Sequence, residues 1–96
     1  MTKSQLEPPF RQLDRGIRHE VRVLWRNGIE TFESCEGGHG HSFHEPTVRF
    51  HGDAFEGFKA IAIAQRSGLR VAELRRFWYL QNGEPHGPHW EIIFYR

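Results

Sequence analysis

The feature that most constrains this chain is a switch of hydrophobic period that occurs twice. Phe10, Leu13, Ile17, Val21 and Leu24 recur at spacings of three and four, which marks one face of a helix, and the run stops at Asn27-Gly28. Residues 29–34 and 47–51 then alternate and are rich in β-branched and aromatic side chains, as half-buried strands are. Past Gly52, Asp53 followed three residues later by Glu56 has the form of a capping box. It opens a second helix whose inner face is predicted to carry Phe55, Phe58, Ile61, Ala62 and Gln65, and which Ser67-Gly68 ends. Residues 70–80 and 88–95 read as a second hairpin, connected by the turn-forming stretch 82–87. Ala72, Glu73, Leu74 and Arg75 favour helix, so residues 71–77 also carry a helical alternative. The order αββαββ predicts an α+β fold with a four-stranded, mainly antiparallel sheet and two helices on one face.

A chain of 96 residues supports a single core. Residues 1–9, ending at Pro8-Pro9, read as an N-terminal arm, and 10–96 as one domain. Mean hydropathy is low at -0.66, but eight Phe, three Trp and two Tyr concentrate the apolar area in large rings that can build a core. Charged residues interrupt every apolar stretch, which predicts no membrane-spanning helix. Cys35 is the only cysteine and no signal-like segment precedes the domain, so a cytoplasmic location is expected. Strands with large residues on both faces, such as Phe77 beside Trp78, need cover on both sides while the two helices cover one. A homodimer formed through the open sheet face or an edge is therefore expected.

The candidate site is the connection between the first two strands, Cys35-Glu36-Gly37-Gly38-His39-Gly40-His41-Ser42-Phe43-His44-Glu45-Pro46. Hairpin connections usually take two to five residues, and longer ones in compact domains tend to be functional. Three chemistries suit its residues. Cys35, His39, His41 and His44 are the ligand types of a tetrahedral zinc site, although their spacing matches no established zinc motif. Cys35 with His41 is the pairing of a thiol and an activating base, with Glu36 or Glu45 as the orienting acid. Gly37, Gly38 and Gly40 let backbone N–H groups approach an anion, but they open no helix and so lack a helix dipole. The bland counterpart is a buried strand-end cysteine with glycines that permit a tight reversal. The ligand-binding candidates are Cys35, Glu36, Gly37, Gly38, His41 and Glu45.

Gly28-Ile29-Glu30-Thr31-Phe32-Glu33-Ser34-Cys35-Glu36-Gly37-Gly38, continued by Gly40-His41 and Glu45-Pro46-Thr47-Val48-Arg49-Phe50, resembles a group of short bacterial and phage proteins with a GI-x-T-x-x-SCEG core. That group has no established activity, so the resemblance implies no mechanism.

Arg11, Arg15, Arg18, Arg22 and Arg26 recur at spacings of four, three, four and four, which draws a line of guanidinium groups along the first helix. Such a line suits a nucleic-acid backbone, or equally a solvated helix face, and the net charge of +1 favours the latter. His86 and His89 would extend the loop site if the two hairpin tips met. The sequence is read as a non-enzymatic binding module that uses loop 35–46 for a ligand or a metal such as zinc. The alternatives are a small cysteine and histidine enzyme and a nucleic-acid accessory protein.

Overall fold

The structure, a computed structural model, describes residues 13–96. A 3-10 turn, Arg15–Ile17, leads into α1 (Arg18–Arg26); β1 (Thr31–Cys35), β2 (Thr47–Phe50), α2 (Glu56–Arg66), β3 (Val71–Gln81) and β4 (Glu84–Phe94) follow. The αββαββ order is the expected one, and the four strands form one antiparallel sheet in the order β1-β2-β4-β3. The predicted N-terminal arm, Phe10 and Arg11 lie outside the described residues.

The three-and-four spacing predicts a helix from Phe10 to Asn27, but Leu13 and Asp14 are not helical and the α-helix proper covers only Arg18–Arg26 after the 3-10 turn. Ile17, Val21 and Leu24 are fully buried, and Gly28, at φ +88, closes its end by donating to the Trp25 carbonyl at 3.0 Å. Asp53 closes the turn that leads into α2, its Oδ1 accepting the N–H groups of Phe55 at 2.9 Å and Glu56 at 3.2 Å, while the helix itself begins at Glu56. The helical alternative for 71–77 is not adopted.

Two further expectations are corrected, and one condition left open by the sequence is decided. The inner face of α2 is Gly57, Ala60, Ile63 and Ala64, whereas Phe55 is 77% and Phe58 67% exposed, and Ala62 and Gln65 also face solvent. Size decides this at the closest approach, because a Cβ on Gly57 would stand 2.6 Å from the Trp90 ring, and only a residue without a side chain fits there. The second hairpin turns on two residues, Asn82 (φ +53) and Gly83 (φ +80), rather than on 82–87. Two positive φ angles are what an Asn-Gly type I′ turn supplies. Pro85 enters β4 without loss because β2 pairs only with Trp90 to Ile93, and the far half of β4 has a partner on one side alone. Finally, the two hairpin tips lie at opposite ends of the sheet. Pairing β2 antiparallel to β4 sets loop 35–46 beside Phe94, whose N–H donates to the Pro46 carbonyl at 2.8 Å, and sends the Asn82-Gly83 turn the other way.

The core lies between the helices and one sheet face, where Val48, Phe50, Trp90, Ile92 and Phe94 meet Ile17, Val21, Leu24, Ala60, Ile63 and Ala64. The alternate residues Thr47, Arg49, Glu91 and Ile93 point to the other face. That face is not wholly open. Residues Ser42, Phe43, His44 and Glu45 lie over it, lining with Thr47, Arg75, Glu91 and Ile93 a recess of about 320 Å³, and Thr47, Glu91 and Ile93 are buried. The loop thus supplies part of the cover for which a partner was expected. No helix among the described residues is long and apolar enough to cross a membrane.

Candidate functional site

β1 ends on Cys35 because the chain reverses directly after it, at Gly37 (φ +80) and Gly38 (φ +106). Gly37 has no substitute here, since a Cβ would stand 2.5 Å from the Glu45 carbonyl carbon. Its N–H donates to Cys35 Sγ at 3.4 Å, and the Gly38 N–H donates to the His44 carbonyl at 3.0 Å. These two donors are therefore engaged inside the loop, which argues against the anion cradle. The reversal carries His41, whose own N–H donates to the Gly38 carbonyl at 3.2 Å, back over the end of the strand.

The third member comes from outside the loop. Asp14, just before the 3-10 turn, accepts the Glu36 N–H on Oδ2 at 3.1 Å, while Glu36 Oε1 accepts the Gly16 N–H at 3.4 Å. These two bonds tie the start of the helical segment to the end of β1. The same Asp14 oxygen stands 3.5 Å from His41 Nδ1, and one ligand atom each from Asp14, Cys35 and His41 lie within 4.8 Å of one another. Cys35 is only 5% exposed, Asp14 is half-buried and His41 is exposed, so the cluster opens to solvent on its histidine side.

Of the metal candidates, then, the fold joins Cys35 and His41 and adds Asp14. His39 and His44 remain exposed and outside the group; the His44 carbonyl, not its ring, is engaged, by Gly38 and by the Arg96 guanidinium. Among the other ligand candidates Glu36 serves as the strut to Gly16, and Glu45 is exposed, with its carbonyl accepting the Thr47 hydroxyl at 2.8 Å. Asp14 was missed because it stands 21 residues from Cys35; its one local signal was an acid at the start of a helical segment.

The arginine stripe runs along the helical segment that begins directly after Asp14. Arg15, Arg22 and Arg26 are exposed on the helical segment, and Arg18 donates through Nε to the Leu13 carbonyl at 3.0 Å. His86 and His89 are far from the loop site and pack instead with Phe32, His51, Phe77 and Tyr79. Burial holds the His89 pKa below its usual 6.5, with His51 and His86 adding to the effect. Comparison with family models, curated proteins and solved structures finds no match to this chain.

Proposed function

We propose that this protein is a binding module that holds a thiophilic divalent cation, zinc by preference, on Asp14, Cys35 and His41. The observation that carries the reading is the convergence of one sulfur and one nitrogen ligand from loop 35–46 with one oxygen ligand from the segment before α1. A thiolate, an imidazole and a carboxylate are the zinc ligand types, and three protein ligands leave a fourth position for water or a bound molecule. With Zn–S near 2.3 Å and Zn–N near 2.0–2.1 Å, ligand atoms on a tetrahedral zinc stand about 3.5 Å apart. The His41 to Asp14 separation of 3.5 Å already has that value, and the cluster's outer limit of 4.8 Å needs closing by about an ångström. The bonds from Gly37 N–H to Cys35 and from Glu36 N–H to Asp14 are of the supporting kind that orient metal ligands.

A second reading is supported by the contact between Asp14 and Nδ1 of His41, which is how an acid orients a catalytic imidazole. In that reading Cys35 is the nucleophile. Its near-complete burial counts against it, because a substrate would have to displace the loop to reach the sulfur.

Elemental analysis of untagged protein, beside Asp14→Asn, Cys35→Ser and His41→Ala, separates the two. The metal reading expects stoichiometric zinc, its loss in each variant, and a lower melting temperature on chelation. Metal-free protein of unchanged stability, with Cys35 alkylated rapidly and His41→Ala slowing that reaction, would replace it with the nucleophile reading.

A further inference from the structure

The sheet face away from the helices has a second site, unrelated to the Asp14 cluster. Beyond the part that the loop covers, Phe32, Glu33, Arg49 and Tyr79 line a depression of about 330 Å³. Adjacent strand residues normally point to opposite faces, but the irregularity between Thr31 and Glu33 lets Phe32 and Glu33 line one recess. Phe32 and Tyr79 are each 40% exposed, although side chains on an uncovered sheet face are ordinarily polar.

The aromatic walls are held by neighbouring imidazole rings. Phe32 stacks on His51 at 4.4 Å, Tyr79 stacks on His86 at 5.5 Å, and His89 packs against both Phe32 and Tyr79 at 5.2 Å. Nε2 of His89 is buried there with no hydrogen-bond partner among the described residues. Arg49 is held with equal firmness: it donates to Glu91 at 2.8 Å and Glu33 at 2.9 Å, with Phe77 at 4.3 Å and Phe43 at 4.8 Å on its guanidinium. A guanidinium carries five N–H donors, so Arg49 keeps donors beyond those two bonds.

We propose that this depression binds a planar nitrogen heterocycle with adjacent N–H donors, the guanine base being the form that fits its polar groups. Two aromatic walls and a few fixed polar groups are the usual makeup of a small-molecule site, and the volume lies at the low end of the range for one. The ring stacks on Phe32 and Tyr79. The Glu33 carboxylate accepts the paired N–H groups of the base, and Arg49 donates to its carbonyl oxygen and ring nitrogen. Charge argues against an anionic ligand. Glu33 and Glu91 place two carboxylates on the single Arg49, and the next cation, Arg75, is paired with Glu73. The base is therefore recognised as such, with no contribution from a phosphate.

The test is titration with guanosine, uridine and guanosine 5′-monophosphate at millimolar concentration, followed by amide chemical shifts and calorimetry. Guanosine should shift Phe32, Glu33, Arg49 and Tyr79, bind more tightly than uridine, and gain nothing from the phosphate. Phe32→Ala should weaken binding about five- to a hundred-fold, the range for loss of one base-stacking ring, and lower the melting temperature as its contacts with His51 and His89 are lost, without unfolding the protein at the temperature of the titration. Glu33→Gln, which keeps shape and stacking, should weaken guanosine more than uridine. No shifts at these residues, or Phe32→Ala binding as the parent does, overturns the proposal. Concentration-dependent sedimentation abolished by Phe32→Asp would overturn it too, assigning the face to a second copy of the chain.

Discussion

Replacing Arg49 by Met tests how the sheet carries charge in its interior. Glu91, whose side chain is 9% exposed, accepts from Arg49 Nε at 2.8 Å, and among the described residues the other cation near it is Arg75 at 3.7 Å. Removing one partner of a buried pair leaves an uncompensated charge and costs about 3–5 kcal/mol. Arg75 softens that penalty, but it is more exposed and closer to Glu73, so it restores only part. Methionine keeps apolar contact with Phe43 and Phe77 while losing cation–π attraction of about 0.5–1 kcal/mol at each ring. The Arg75 offset and the lost cation–π attraction oppose each other, so the expected net loss stays at about 3–5 kcal/mol, within the stability of about 5–15 kcal/mol typical of a domain. Urea unfolding at 25 °C measures it. With a slope near 1 kcal/mol/M, the midpoint should fall by about 3–5 M. Glu91→Leu added to Arg49→Met should recover most of the loss, since an apolar pair of similar volume replaces an ion pair at little cost. A single-variant loss under about 0.5 kcal/mol, the level of an ordinary surface change, would refute the reasoning, as would a double variant weaker than the single.

Three further outcomes are expected. Gly57→Ala gains about 1 kcal/mol of helix propensity but drives a methyl into the Trp90 ring, which costs about 1–3 kcal/mol, so the melting temperature should fall; a rise would mean that the ring yields. Gly37→Ala should destabilise by about 2 kcal/mol from backbone strain and displace the zinc proposed for Cys35, read by denaturant titration and elemental analysis. His89, whose pKa is lowered by burial and by His51 and His86, binds a proton more readily in the unfolded chain. Stability should therefore be unaffected by this group above pH 6.5 and fall as the pH drops below it, and His89→Gln should flatten that slope in pH-dependent melting.

The element order was legible because each segment follows its own period: Val21 and Leu24 on the helix, Val48 and Phe50 on the strand. The inner face of α2 was not. Periodicity ranks side chains by hydrophobicity, and Phe55 and Phe58 outrank Gly57 and Ala60 on that scale. Packing distance reversed the ranking at Gly57, where only a residue without a side chain admits Trp90. The site was half legible. Cys35 and His41 were marked by residue type and by an unusually long connection, but the turn at His39-Gly40 leaves His39 outside the group. Asp14 and the pairing of Phe32 with Tyr79 depend on tertiary contacts across 21 and 47 residues of chain, and nothing local announces either.

The strand order also sets how the molecule must assemble. Each hairpin closes locally, but the seam between them pairs Phe50 with Trp90 and Thr47 with Ile93, forty and forty-six residues apart. Closing such loops is entropically slow, and a lone hairpin is marginal in water. The seam is therefore expected to form after the two hairpins. Because the chain crosses between the two halves only once, near Gly52-Asp53, a break there leaves every strand pair intact. Separate fragments 1–52 and 53–96 should each be weakly structured alone and should fold on mixing, by recreating that seam.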